Sequence, residues 1–159
     1  MDRFPRPGRR PLPTRRPAGP PTAGDGILLV DGHVALGELS AEYLRAAGYR
    51  VVVAAGLAEA EVLLADGRFA LVLTDPFRLA TGALGTDRWT NLRRLRALAG
   101  EAPVVICSEY RADDFAGYRE RGFAAVLQKP YRPAELLTTV RRHLGAPVAA
   151  EPVAEPATP

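Results

Sequence analysis

Lysine is almost missing from this chain: of 21 lysines and arginines, only Lys129 is not an arginine. Cysteine, methionine and tryptophan each occur once as well. A single cysteine, Cys107, excludes an internal disulfide framework, and its place in an apolar run marks it as a buried thiol. Aromatic residues make up 7% of the sequence, so any core must be built mainly from Leu, Val and Ala. Long apolar runs are lacking too. The longest early one, Ile27-Leu28-Leu29-Val30, falls far short of a bilayer-spanning helix. The arginine pairs near the start lead into proline-rich sequence instead of the apolar stretch of a signal peptide, so a cytoplasmic location is expected.

What is present divides the 159 residues into one domain and two ends. Residues 1–25 carry Arg3, Arg6, Arg9, Arg10, Arg15 and Arg16 against Asp2 and Asp25, a net +4 that leaves −1 for the rest of the chain. The basic character thus belongs to an Arg/Pro-rich arm, expected to be disordered or polyproline-like, and not to a basic binding face. Residues 146–159 form an Ala/Pro-rich end of the same unstructured kind. No helix-turn-helix, zinc site, second core or internal repeat accompanies the domain at 26–145.

Within that domain short apolar runs alternate with helix-period segments. The runs fall at 27–31, 50–54, 70–75, 103–107 and 123–127. Near-continuous apolar strands of this length belong to a parallel sheet buried on both faces. Between them, Leu36, Leu39, Tyr43, Leu44 and Ala47 share one helical face, and Leu57, Ala60, Leu63 and Leu64 a second. Leu92, Leu95 and Leu98 mark a third helix. A polar fourth is expected around 111–121, and a fifth opens at Pro133 and presents Leu136, Leu137, Val140 and Leu144. Five such units predict an α/β fold with a doubly wound, five-stranded parallel sheet. Folds of this kind place their chemistry at the carboxyl ends of the strands.

Those ends carry Asp31, Asp75, Ser108 and Lys129, a set of carboxylates, a hydroxyl and an ammonium on one rim. The lone lysine is informative because a compact ammonium can set a point charge against one phosphoryl oxygen, which a planar guanidinium does less well.

Asp31, Thr74-Asp75, Ser108 and Lys129-Pro130, in that order and spacing, resemble the signature of response-regulator receiver domains, over about residues 26–145. The resemblance implies a flavodoxin-like (βα)5 fold. It also implies phosphoryl transfer to Asp75 from a histidine kinase or phosphotransfer protein, with Lys129 and Ser108 drawing onto the phosphoryl oxygens. Mg²⁺ would be held by Asp31, Asp75 and the backbone carbonyl of Phe77. Signalling is then expected through a downstream protein partner at helix four, strand five and helix five, with a homodimer through that surface as a further expectation. The phosphodonor would meet helix one and the Pro130-Tyr131 loop. No DNA-binding domain, membrane contact or enzymatic turnover is expected.

Three departures qualify this picture. Receivers usually carry two adjacent acids after strand one, whereas this chain has Asp31-Gly32-His33, so the Mg²⁺ site is expected to be weakened. The strand-five position often held by Tyr or Phe is Val126. Glu109 follows Ser108 where a small residue is usual. A degenerate receiver, acting as a phosphate-independent interaction module, is therefore the alternative. A haloacid-dehalogenase-type phosphatase is disfavoured, since it needs an Asp two residues after its nucleophile and this chain offers His33 or Phe77 there. A nucleotide-binding fold would need a glycine-rich loop before the first helix, and none is present.

Overall fold

The structure, a computed structural model, describes residues 25–76 and 88–145. The Arg/Pro arm, the Ala/Pro end and Phe77 all lie outside these described residues, apart from Asp25 at the arm's junction with the domain. The elements run β1 (Gly26–Val30), α1 (Val34–Ala46), β2 (Val51–Ala54), α2 (Leu57–Asp66), β3 (Phe69–Thr74), α3 (Arg88–Leu98) and β4 (Val104–Ser108). A 3-10 turn (Ala112–Phe115), β5 (Ala125–Gln128) and α4 (Pro133–Leu144) complete the order.

All five strands are parallel, in the order β2-β1-β3-β4-β5. The central strands β3 and β4 are buried at every position, whereas the edge strand β5 is only half-buried. This explains why the apolar runs are nearly continuous in the middle of the sheet. Alternate side chains feed two cores. Leu28, Val30, Val72, Val104 and Ile106 pack with Leu57, Ala60, Leu64, Leu92 and Leu95 on the α2/α3 side. Ile27, Leu29, Leu71, Leu73, Val105 and Cys107 pack with Ala41, Leu44, Leu136 and Val140 on the α1/α4 side.

Two sequence expectations need correction. In α1 the core face is Gly37, Ala41 and Leu44, while Leu36, Leu39 and Tyr43 stand 45%, 46% and 42% exposed. Small residues let the helix lie close to the sheet. A Cβ on Gly37 would come within 3.3 Å of the Asp31 Cβ and 3.4 Å of the Val53 Cγ1. The more apolar stripe is thus turned outward, towards the loop after β5.

The helix expected around 111–121 is not formed. Only the 3-10 turn stands there, because Gly117 takes φ +76°, in the left-handed region that no continuing α-helix can hold. The segment is instead anchored by Phe115, wholly buried, whose ring meets Trp89 edge-on at 5.8 Å. Trp89 also packs on Phe123, and the Arg121 guanidinium lies 4.4 Å above it. Tyr118, a candidate for the output surface, is half-buried against the same core.

The last helix begins as its sequence requires. Pro133 occupies the first turn, and the Glu135 carboxylate accepts the Arg132 backbone N–H at 2.7 Å. No helix among the described residues is long and apolar enough to cross a membrane.

Candidate functional site

The ladder hydrogen bonds run one residue past the strands and fix the rim. The Asp31 N–H donates to the Ala54 carbonyl at 3.0 Å, and the Asp75 N–H donates to the Val30 carbonyl at 2.9 Å. Val30 pairs with Thr74, so Asp31 and Asp75 leave neighbouring strands at equivalent positions. On the other side Ser108 pairs with Gln128, and the Lys129 N–H donates to the Ser108 carbonyl at 2.7 Å. Parallel register alone therefore delivers all four residues to one edge.

Their side chains are drawn together by one ammonium. Lys129 Nζ donates to Asp31 Oδ2 and to Asp75 Oδ2, each at 2.8 Å. Both aspartate side chains are more than nine-tenths buried, and that of Lys129 is 12% exposed. Burial alone would lower the lysine's pKa, but its hydrogen bonds to Asp31 and Asp75 outweigh that and hold it above the ordinary range. The charge is thus locked on. Ser108 is fully buried, and its Oγ accepts the Tyr110 N–H at 3.0 Å. Cys107, directly before it, is 2% exposed, and burial pushes its thiol up to about 12, with Lys129 only partly countering.

His33 has a structural task. Its backbone N–H donates to Asp31 Oδ1 at 2.8 Å, and its Nδ1 accepts the Leu36 N–H at 3.4 Å, capping α1.

Beside the rim lies a groove of about 470 Å³ between α1 and the start of α4. Leu36, Leu39 and Tyr43 form one wall, and Pro130, Tyr131 and Pro133 the other. Asp31, Glu109 and Lys129 line it at the rim. The Tyr131 hydroxyl and Ser40 Oγ are 3.1 Å apart and tie the two walls together. The Lys129-Pro130 peptide is cis.

The sequence profile of the response regulator receiver domain matches residues 27–141. The chain belongs to the response regulator receiver family. Solved receivers share its fold. The receiver domain of NtrX from Brucella abortus has 26% identity and a TM-score of 0.65, over 74% of this chain and 97% of that one. Chemotaxis protein CheY4 of Vibrio cholerae has 23% identity and a TM-score of 0.62, over 76% and 98%. The receiver domain of the sensor histidine kinase PA1611 from Pseudomonas aeruginosa, solved with magnesium in its active-site cleft, has 26% identity and a TM-score of 0.60, over 77% and 98%. No curated protein matches the sequence. Accepting a phosphoryl group from a histidine kinase or phosphotransfer protein is the general work of receivers, and they bind Mg²⁺ at the acceptor.

Asp31 and Asp75 are the buried rim carboxylates that could hold Mg²⁺. The described residues contain no group of three or more His, Cys, Asp or Glu side chains able to hold a metal. Asp31 and Asp75 remain, each with one oxygen on Lys129. Two carboxylates suit Mg²⁺, which keeps several of its waters, so the residues fit the ion.

All four rim residues picked out in the sequence come to this edge. The sequence pointed to helix one and the Pro130-Tyr131 loop as a donor face, but not to the Ser40–Tyr131 link or to Leu36, Leu39 and Tyr43 as its wall, because those three read equally well as core. Gly37 and Ala41, small residues four apart in the same helix, were the available signal of close helix–sheet approach.

Proposed function

We propose that Asp75 accepts a phosphoryl group from a phosphohistidine, with Asp31 and Lys129 preparing the site and the α1 groove receiving the donor. The observation that carries this reading is the single lysine of the chain, set 2.8 Å from Asp75 Oδ2 at the carboxyl rim of the central strand. A carboxylate oxygen of Asp75 attacks phosphorus, the phosphorus–nitrogen bond breaks, and the electron pair leaves with the donor imidazole. Charge then lies on three phosphoryl oxygens, and catalysis is a matter of positioning and neutralisation. The Lys129 ammonium, already charged and in contact with the acceptor, supplies one neutralising group. The Ser108 hydroxyl, fixed by the Tyr110 N–H, supplies a second. Mg²⁺, held weakly by Asp31 and Asp75, would add positive charge beside the same oxygens.

The domain acts in this reading as an acceptor and partner-binding module, not as a phosphatase. Its signal leaves through the 3-10 turn, β5 and α4, with Arg141 exposed on the last helix. One observation favours a second reading, a phosphate-independent interaction module. Lys129 already bridges both carboxylates with its one positive charge, and Gly32 offers no side-chain ligand.

Intact mass after incubation with a small acyl-phosphate donor and Mg²⁺ separates the two. Wild-type protein should gain one phosphate and Asp75→Asn none. Labelling of Asp75→Asn would remove Asp75 from the reaction, and a wild type that never labels would favour the second reading.

A further inference from the structure

We infer that the face formed by α3 and the turn segment between β4 and β5 is a docking surface for a carboxylate-rich protein segment. Charge is unevenly spread over α1 to α4. Helix α1 carries Glu38 and Glu42 against Arg45, α2 carries Glu59, Glu61 and Asp66 with no basic residue, and α4 carries Glu135 against Arg141 and Arg142. Helix α3 carries Arg88, Arg93, Arg94 and Arg96 and no acid. The net −1 of the chain outside the Arg/Pro arm conceals this separation.

Trp89, Arg93 and Arg96 follow one another at i, i+4 and i+7, so they share one side of α3. That side meets the turn segment. Arg96 Nε donates to the Gly122 carbonyl at 2.8 Å, and the Arg121 guanidinium covers the Trp89 ring. Arg119 makes a second stacked pair: its guanidinium lies 5.5 Å from the Tyr118 ring centroid, and its Nε donates to the Tyr118 hydroxyl at 2.9 Å. Arg94 is paired with Glu61 of α2. Arg96, Arg119 and Arg121 have no ion-pair partner among the described residues. Carbonyls and rings orient these guanidinium groups without neutralising them. Arg119 and Arg121 are exposed as well, so two ordered cations face solvent, and little side-chain entropy is left to lose on binding.

A fixed, planar guanidinium suits a carboxylate and a phosphate alike. The surroundings favour carboxylates on a protein. Glu120 stands beside Arg121 at Gly117, and Asp113 and Asp114 are exposed earlier in the same segment. A uniformly negative phosphate backbone would be repelled there, whereas a protein segment can set other residues against them. Nor is a ring open to a base. Trp89 is covered by Arg121 and packed on Phe115 and Phe123, and Tyr118 is engaged by Arg119.

This inference gives the output side of the proposed function its partner chemistry, and its test uses no phosphodonor, so either can fail alone. Trp89 is the only tryptophan of the full chain, so its fluorescence reports this face and not the Arg/Pro arm. Titration with a short poly-L-glutamate should give a saturating change. The midpoint should rise about fivefold in Arg93→Gln/Arg119→Gln, as the loss of two exposed ion pairs predicts, with the Trp89–Arg121 contact left in place. Arg50→Gln/Arg68→Gln, which removes the same charge before β2 and β3, should leave the midpoint unchanged. No saturating change, or equal midpoints in all three proteins, would overturn the inference. Tighter binding of an oligothymidylate of matched length would overturn it in favour of nucleic acid. A Trp89 change on concentrating the protein alone, with a dimer's mass in sedimentation, would overturn it in favour of a second copy.

Discussion

The two sides of the acceptor rim have been built to different standards. On the side of α1 and α4, small residues bring the helix against the sheet, His33 caps it, and the Ser40–Tyr131 contact ties the walls of the groove. On the far side, where a regular receiver places a helix between β4 and β5, the chain makes a 3-10 turn and irregular turns pinned by Phe115 and Trp89. The face that would meet a donor keeps regular geometry, and the face that would pass the signal on has been redrawn. Phosphoryl transfer demands alignment of the reacting atoms, so the first face tolerates little change. An output surface needs only to match its own partner.

The sharpest way to break this contrast is to remove the ammonium that holds the rim together. Lys129→Met leaves two buried carboxylates without their shared counter-charge, and losing one partner of a buried ion pair costs about 3–5 kcal/mol. Urea unfolding should show a loss near the lower end of that range, since Lys129 sits at the edge of the site, together with loss of acyl-phosphate labelling. Adding Asp75→Asn should recover part of the stability and none of the labelling. A Lys129→Met protein as stable as wild type would show that the carboxylates have another counter-charge.

The same group sets the behaviour at high pH. Lys129, Cys107 and Tyr131 are all raised above their ordinary values of 10.5, 9.0 and 10.0, so the folded state holds their protons more tightly. Stability from these groups is complete below the ordinary values. It should fall as pH climbs from 9.0 towards about 12, where the buried Cys107 and the half-buried Tyr131 titrate. Urea midpoints measured from pH 8 upward should decline through this window. The decline should be shallower in Lys129→Met, which lacks one of the three groups.

Much of this architecture is legible in the sequence, and the exceptions have physical causes. Parallel strands in β3 and β4 read clearly because burial on both faces leaves no polar alternation to confuse them. The rim followed from register, since side chains one residue past paired strands must end side by side. The outward face of α1 did not. Helical spacing identifies a stripe but not what covers it, and Leu36, Leu39 and Tyr43 are apolar whether they face a core or a groove. The segment at 111–121 failed for a more local reason: its polar periodicity suits a helix, but Gly117 is free to adopt φ +76° and the burial of Phe115 rewards the turn. The Lys129 bridge to two carboxylates could not be read from spacing at all.

A pair of glycine substitutions sharpens the contrast between the two sides. On the donor side, Gly37→Val forces a branched side chain against the Asp31 Cβ and Val53, and overpacking of this kind costs about 1–3 kcal/mol. It should also slow labelling of Asp75, because Asp31 is the residue displaced. On the far side, Gly117→Ala meets no atom closer than the Glu120 Oε2 at 3.8 Å, so its cost is the left-handed backbone alone, about 1–2 kcal/mol. Labelling should be unchanged. If Gly117→Ala instead gains helical signal in circular dichroism without losing stability, the far side is a helix held in reserve and not a redrawn surface.

The smallest expected effect concerns the metal. Gly32 stands where receivers usually carry a second acid, and it is not among the glycines at positive φ, so the backbone accepts an aspartate there. Gly32→Asp would add a carboxylate oxygen to the pair from Asp31 and Asp75 and raise the negative charge that Lys129 now balances alone. Hard oxygen ligands and added charge both favour Mg²⁺. Calorimetric titration should show binding tighter by about tenfold, roughly 1.4 kcal/mol. The gain is modest because each carboxylate already shares an oxygen with the Lys129 ammonium, which the ion must partly displace. Glu109 is the rival ligand, exposed at the same rim and lining the same groove. Equal Mg²⁺ affinity in wild type and Gly32→Asp, with a tenfold loss in Glu109→Gln, would move the missing carboxylate from β1 to the end of β4. The donor side would then have been redrawn as well.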